Sequence, residues 1–182
     1  MLTKNGDEVL IRQANDSDAA ELARLRWELS SEKDSTLSRD EFIRDCGQWL
    51  RKRLRSGNWF MAVAESGSGL CGCMFLQFVE KVPEPGSSQR AWGYVTNSYV
   101  DPQKRGHGIG EKLLRLLISV ATDHSLELLI VWPSEAAVPF YQRAGFKSVS
   151  EVHVGADNEP PLEMMLPAAG GSRPSHLIHD LS

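Results

Sequence analysis

The sequence predicts a mixed α/β (α+β) domain in which a mostly antiparallel central sheet of six to seven strands is flanked by about four helices. Three observations carry this. Apolar residues recur with period two in some runs and with spacings of three and four in others. Two β-rich runs, Trp59 to Glu65 and Leu70 to Val79, are joined by the tight, Gly-rich Ser66-Gly67-Ser68-Gly69, a hairpin signal. A length of 182 residues suits one hydrophobic core.

Val9-Leu10-Ile11 reads as the first strand. Asn15-Asp16-Ser17-Asp18 then offers several N-cap side chains ahead of Leu22, Leu25 and Leu29, the apolar stripe of a first helix. Ser38 to Arg55 repeats the helical period with Phe42, Cys46, Trp49, Leu50 and Arg53 on one side, until Ser56-Gly57-Asn58 stops it. The run Leu70 to Val79 is apolar at both parities, as in a strand covered on both faces. Trp92 to Val100 is a further strand, ended by Asp101-Pro102. From Gly108 to about His124 the stripe Ile109, Leu113, Leu116, Leu117 and Val120 is helical. Leu126 to Trp132 returns to strand, Pro133 to Ala144 to helix, and Lys147 to Val154 and Leu162 to Leu166 to closing strands. Residues 1–166 thus form one domain and 167–182 a loosely attached tail.

A net charge of −4, without a basic stripe of one sign, argues against nucleic acid as a partner. Arg51-Lys52-Arg53-Leu54-Arg55 sits inside an amphipathic pattern and reads as the wet face of a helix. Three cysteines, Cys46, Cys71 and Cys73, make an odd set without a second matching pair, which argues against structural disulfides and zinc. His176 and His179 have metal-like spacing but no neighbouring partners, so no metal is expected. No apolar run approaches the roughly 20 residues that span a bilayer, and the N-terminus is too polar for a secretory leader. No membrane association and a cytoplasmic location are expected.

The chemistry concentrates in Gln103-Lys104-Arg105-Gly106-His107-Gly108-Ile109-Gly110-Glu111, which places three alternate glycines between a strand and a helix. A helix N-terminus presents unpaired backbone N–H groups and the positive end of its dipole, and glycines let the backbone close on an anion. The expected ligand is a phosphate or pyrophosphate. A P-loop needs Gly-Lys-Ser/Thr beginning where Glu111 stands, and a dinucleotide fingerprint needs its third glycine at the same place. Neither ATP nor NAD is therefore favoured.

Gln103-Lys104-Arg105-Gly106-His107-Gly108 does fit Arg/Gln-x-x-Gly-x-Gly/Ala and resembles the Gcn5-related N-acetyltransferase superfamily. A second block, Ser134 to Phe146, resembles the family's Asn-x-x-Ala-x-x-Leu-Tyr-x-x-x-Gly-Phe, with Ser134 standing where many members carry Asn. The order of elements read from periodicity is the family's order. The resemblance implies an acetyl-CoA N-acyltransferase fold with a V-shaped splay between the fourth and fifth strands, where the pantetheine arm lies. It implies backbone contacts to that arm from Ser98, Tyr99 and Val100, with a main-chain N–H near Val100 facing the thioester carbonyl. It also implies that residues 103 to 111 hold the pyrophosphate, and it gives Ser134 either a cofactor contact or the plain role of a helix N-cap.

The same resemblance places Tyr141 beside the cofactor sulfur as general acid for the departing thiolate; its bland alternative is a half-buried aromatic at a helix end. The attacking amine must lose a proton, directly or through water. Glu80 and Glu65, each near a strand end, are the general-base candidates, whereas Asn97 cannot serve as one. His107 is expected to face solvent and to contribute its backbone only. Trp49 is expected to pack, while Trp27 and Glu28 stand equally for acceptor contacts and for packing or solvated positions.

The implied activity is transfer of an acetyl group from acetyl-CoA, as co-substrate, to a primary amine by direct attack in a ternary complex. The acceptor is left open between a small amine and a peptide or protein amine. The alternative is a non-catalytic acyl-CoA-binding sensor. The resemblance also makes a homodimer plausible.

Overall fold

Asn15 and Asp18 close a reciprocal capping box: Asn15 Oδ1 accepts from the Ser17 amide at 2.9 Å, and Asp18 Oδ2 accepts from the Asn15 amide at 2.8 Å. This turn launches the first helix, as the N-cap cluster requires. In a computed structural model that describes residues 8–30, 38–83, 85–86 and 91–148, the elements run β1 (Leu10–Gln13), α1 (Ala19–Leu29), α2 (Arg39–Leu54), β2 (Trp59–Ser66), β3 (Gly69–Glu80), β4 (Ala91–Val100), α3 (Ile109–Asp123), β5 (Leu129–Val131) and α4 (Val138–Arg143). The chain divides into two compact units, Met1–Ala136 and Ala137–Ser182.

Within the first unit one sheet has the order β1-β2-β3-β4-β5. The first three pairings are antiparallel and β4 pairs parallel with β5. Among the described residues the sheet therefore has five strands rather than the six to seven expected. Lys147 and Ser148, the described start of the first expected closing strand, lie outside any strand, and the rest of 147–154 and all of 162–166 fall outside the described residues.

Strand β3 is buried from Leu70 to Leu76 at both parities, because helices cover both faces of the sheet. On one face α1 and α2 pack together over Met61, Val63, Cys73 and Phe75. On the other, α3 buries Ile109, Leu113, Leu114, Leu117 and Ala121 against β2 and β3. The buried stripe of α3 thus takes Leu114 and Ala121 in place of the expected Leu116 and Val120, which are half-buried.

Helix α2 begins at Ser38, whose side chain caps the Glu41 amide while Glu41 reaches back to the Ser38 amide. Its buried positions are Gly47 and Leu50, with Ile43, Cys46 and Leu54 partly buried, so its inner face is rotated from the expected Phe42, Trp49 and Arg53. Gly47 lies on the face turned to α1, where a Cβ would make ordinary contact with the Ala19 carbonyl oxygen at 3.6 Å. Trp49 is correspondingly 41 % exposed and meets Trp59 edge-on at 5.5 Å, with the Arg53 guanidinium 4.9 Å over its ring.

Arg12 on β1 ties this end of the unit together, giving two N–H groups to the Asp18 carboxylate at 2.7 and 2.8 Å and Nε to Glu65 at 2.8 Å. The Arg12 hydrogen bonds hold Asp18 below its ordinary value of 3.8. A carboxyl depressed in the folded state contributes stability that is present above its unfolded value and lost as pH falls through the folded one. Asp18→Asn is therefore expected to cost about 1–3 kcal/mol at pH 7. Its gap from wild type should close as pH drops below about 4, which denaturant midpoints against pH will show.

Gly93 sets how closely β4 and β5 pair. A Cβ at this position would lie 2.5 Å from Leu129 Cδ2 and 2.7 Å from Leu76 Cδ1. Gly93→Ala is expected to destabilise the fold by about 1–3 kcal/mol, read as a lower thermal midpoint, even though the opposing atoms are flexible leucine ends.

Candidate active site at the junction of strand β4 and helix α3

Strand β4 pairs with β5 only through Gly93, Tyr94 and Val95, opposite Leu129, Ile130 and Val131. Beyond Val95 it continues to Val100, still paired to β3 but without a β5 partner. The two parallel strands therefore part midway along β4, and the backbone of Thr96 to Val100 borders the opening. Ser98, Tyr99 and Val100 lie on this stretch, where the resemblance puts the pantetheine contacts.

A β-bulge marks the same stretch. Thr96 pairs with Phe75 and Tyr99 with Cys73, so Asn97 and Ser98 together oppose the single residue Met74. Asn97 takes φ 50, a left-handed conformation that asparagine tolerates better than most residues. Its Nδ2 donates to Cys73 Sγ at 3.5 Å, and Oδ1 is buried without a hydrogen-bond partner. Burial pushes the Cys73 thiol up to about 12, so it stays protonated at neutral pH and is no nucleophile. Asn97 was excluded as a base from sequence, and its structural part went unread; an asparagine interrupting a β-rich run was the available signal.

Past Val100 the chain turns through a 3-10 turn at Pro102–Lys104, capped by Asp101, whose carboxylate accepts from the Gln103 amide at 2.9 Å. Arg105 folds back and donates Nε to the Val100 carbonyl at 3.0 Å. Gly106 and Gly108 then adopt φ 78 and φ 72, and α3 begins at Ile109. Gly108 is its N-cap and supplies no side-chain cap. The amides of Ile109, Gly110 and Glu111 consequently open the helix without intrahelical acceptors. A Cβ on Gly106 or Gly108 would meet no atom within 4 Å, so both glycines border open space. Uncapped amides and the positive end of a helix dipole together suit an anion.

Side chains around this turn are largely engaged elsewhere. Glu111 accepts from Arg115 one turn on, at 2.6 Å, which leaves its backbone as the group turned to the site. His107 is half-buried rather than facing solvent, with Nδ1 3.2 Å from the Lys104 carbonyl. It thereby braces the turn from within.

In the second unit, Tyr141 is buried in α4. The helix ends in a Schellman motif: the Phe146 amide donates to the Tyr141 carbonyl at 3.1 Å, and the Gly145 amide to Gln142 at 3.0 Å, with Gly145 at φ 96. The Tyr141 and Phe146 rings meet at 5.4 Å, the apolar contact that accompanies this cap. The spacing Tyr-x-x-x-Gly-Phe is thus a helix C-cap that fixes the tyrosine ring.

The sequence pattern described as "Acetyltransferase (GNAT) family" matches residues 19–146, which include every element from α1 to α4. The chain belongs to the acetyltransferase (GNAT) family. An uncharacterized N-acetyltransferase of Methanocaldococcus jannaschii is 29 % identical over 105 residues, which cover 55 % of this chain and 43 % of that protein. The chain therefore spans less than half the length of this curated relative. The crystal structure of a GCN5-related N-acetyltransferase from Ralstonia eutropha superposes with a TM-score of 0.67 at 25 % identity, covering 90 % of this chain and all of that one. A predicted acetyltransferase from Clostridium acetobutylicum, solved with acetyl-CoA, superposes at 0.65 with 20 % identity over 80 % of this chain and 94 % of that one, and shows the same fold.

Two carboxylates expected at the site of this GNAT chain, Glu80 and Glu65, are not brought there. Glu80 is exposed and paired with Ala91 at the far end of β4, six residues and about 20 Å of strand from Asn97. Glu65 is bound to Arg12 at the sheet edge. Ser134 is exposed ahead of the 3-10 turn Glu135–Ala137. On α1, Glu28 lies 3.6 Å from Arg39, and the Trp27 ring meets Phe42 at 5.4 Å. Trp132, directly after β5, is 64 % exposed and meets Tyr94 edge-on at 5.2 Å, an aromatic wall beside the opening that sequence reading missed. Among the described residues no His, Cys, Asp or Glu cluster could hold a metal ion, and no helix is long and apolar enough to cross a membrane. His176 and His179 fall outside the described residues.

Proposed function

We propose that this GNAT-family chain transfers an acetyl group from acetyl-CoA to a primary amine by direct attack in a ternary complex. One observation carries the reading: two left-handed glycines open an uncapped helix N-terminus immediately after a strand whose edge has just parted from its neighbour. The amides from Gly106 to Glu111 suit a pyrophosphate, and the stretch of β4 from Ser98 to Val100, past its pairing with β5, suits the amide-bearing pantetheine arm. Gln103, Lys104 and Arg105 form the approach to this cradle, and Ser134 is a further cofactor contact.

The amine nitrogen attacks the thioester carbonyl carbon, the C–N bond forms, and the C–S bond breaks. A main-chain N–H near Val100 faces the developing oxyanion. Tyr141 delivers its phenolic proton to the departing thiolate, a role supported by its place in the family block and by the C-cap that fixes its ring. The proton lost by the amine leaves through water, since Glu80 stands far along the strand. We take residues 1–166 as one catalytic domain, supported by a family match that runs unbroken from 19 to 146. Unpaired cysteines at 46, 71 and 73 suit the reducing cytoplasm.

The test is to incubate the protein with acetyl-CoA and a panel of alkyl, aryl, sugar and peptide amines, following free thiol. Amine-dependent thiol release is expected. Tight binding of acetyl-CoA with no transfer to any amine would favour the sensor reading instead.

A further inference from the structure

Beside the end of α2 lies a cleft of about 490 Å3, lined by Trp49, Arg53, Ser56, Asn58, Trp59 and Gln77. That volume is in the range of small-molecule sites. Trp49 and Arg53 stand four residues apart near the end of α2 and so share one of its faces. The turn that follows, with Gly57 at φ 75, delivers the chain into β2 at Trp59. Ser56 is spent in that turn, where Oγ donates to the Arg53 carbonyl at 2.9 Å. Trp59 and Gln77 are direct partners in the register of β2 and β3, so they point to the same face of the sheet.

Two kinds of unspent chemistry line this cleft. One is apolar: the indoles of Trp49, 41 % exposed, and Trp59 meet at 5.5 Å and 78°, two flat walls set at a corner. The other is a charge. The guanidinium of half-buried Arg53 is held 4.9 Å over the Trp49 ring, an attraction that leaves its N–H fork available. Among the described residues no carboxylate takes up that fork, whereas Arg12, Arg24 and Arg39 each meet one. No acidic side chain lines the cleft, and the carboxamides of Asn58 and Gln77 add further donors.

We propose that this cleft binds a small aromatic carboxylate, with its acid group in the Arg53 fork and its ring against Trp49 and Trp59. The fork matches a carboxylate with two parallel hydrogen bonds. One lining cation balances the single charge of a carboxylate, while a phosphate monoester carries nearly two at neutral pH. The site is separate from the proposed coenzyme turn. Gln77 pairs with Tyr94 on β4, six residues and about 20 Å of strand from Val100. Trp59 packs on the core cluster beneath α1 and α2, and the glycine turn opens α3 on the opposite face. The ligand and acetyl-CoA therefore bind together, and the inference does not rest on the transfer activity.

The test uses the full chain and three probes: phenylacetate, its neutral analogue phenylacetamide, and acetate, which has the charge without the ring. Binding is followed on the indole N–H NMR signals of Trp49 and Trp59, assigned from Trp49→Leu and Trp59→Phe. Phenylacetate is expected to move both signals and to bind at least about tenfold more tightly than either of the other two. Arg53→Gln keeps a good helix former at this position, so its thermal midpoint should stay near wild type. In that variant phenylacetate and phenylacetamide should bind alike. Saturating acetyl-CoA should leave the phenylacetate affinity unchanged. Silent Trp49 and Trp59 signals, equal affinity for acid and amide in the wild type, or a preference for the acid that survives Arg53→Gln would overturn the inference. Displacement of phenylacetate by acetyl-CoA would do the same.

Discussion

Gly108→Val is expected to weaken acetyl-CoA binding by about a hundredfold or more while leaving the chain folded. Gly108 sits at φ 72 as the N-cap of α3, where an L-residue pays about 1–2 kcal/mol and a β-branched one more. A Cβ there meets nothing within 4 Å, so packing does not oppose the new side chain. The chain relieves the strain by turning φ negative, and that swing redirects the amides of Ile109, Gly110 and Glu111. Hydrogen bonds to charged groups contribute about 1.5–3 kcal/mol each, so misaiming two of them accounts for the two orders of magnitude. Isothermal titration with acetyl-CoA reads the loss, and circular dichroism confirms the fold. Wild-type affinity in Gly108→Val would mean that the cradle does not hold the coenzyme.

Tyr141→Phe is expected to lower kcat about 100-fold or more with little change in acetyl-CoA affinity, the range for loss of a general acid. Phenylalanine keeps the ring that packs on Phe140 at 4.9 Å and on Phe146 at 5.4 Å, so the Schellman cap survives the loss of the hydroxyl. Because the missing group protonates a leaving thiolate, thioesters of more acidic thiols should be less affected. Unchanged turnover would remove Tyr141 from the chemistry and leave it a packing residue.

Much of the framework was legible in the sequence because periodicity and capping are local. Ser38 with Glu41 and Asn15 with Asp18 cap helices within a few residues, and the glycine loop declares a strand-to-helix turn through backbone needs that only glycine meets cheaply. What depends on neighbours distant in sequence was not legible. The inner face of α2 turns Gly47 toward Ala19, and a search for large apolar residues passes over a glycine, so Trp49, which is 41 % exposed, was expected to pack. Strand β5 is shorter than the run Leu126 to Trp132 suggests, because the Leu126 amide is spent on the Ala121 carbonyl in ending α3.

Around the proposed site, the strand-to-helix glycine turn was readable and its surroundings were not. The turn from 103 to 111 is set by backbone conformation at Gly106 and Gly108, which glycine spacing betrays. Asn97 sits in a bulge whose position follows from how β3 and β4 register, and Trp132 stands beside Tyr94 because β5 pairs with β4. Neither relation leaves a mark in sequence spacing. Glu80 shows the converse: a carboxylate at a strand end looks available until the register places it at the wrong end of the strand.

The most direct test of the cradle is to compare acetyl-CoA with acetyl-pantetheine, which carries the same thioester and arm but lacks the pyrophosphate and the nucleoside phosphate attached to it. If the amides of Gly106 to Glu111 hold the pyrophosphate, acetyl-CoA binds at least about 100-fold more tightly, and added salt narrows the gap. Equal affinity for the two thioesters would contradict the assignment of this turn as a coenzyme A site.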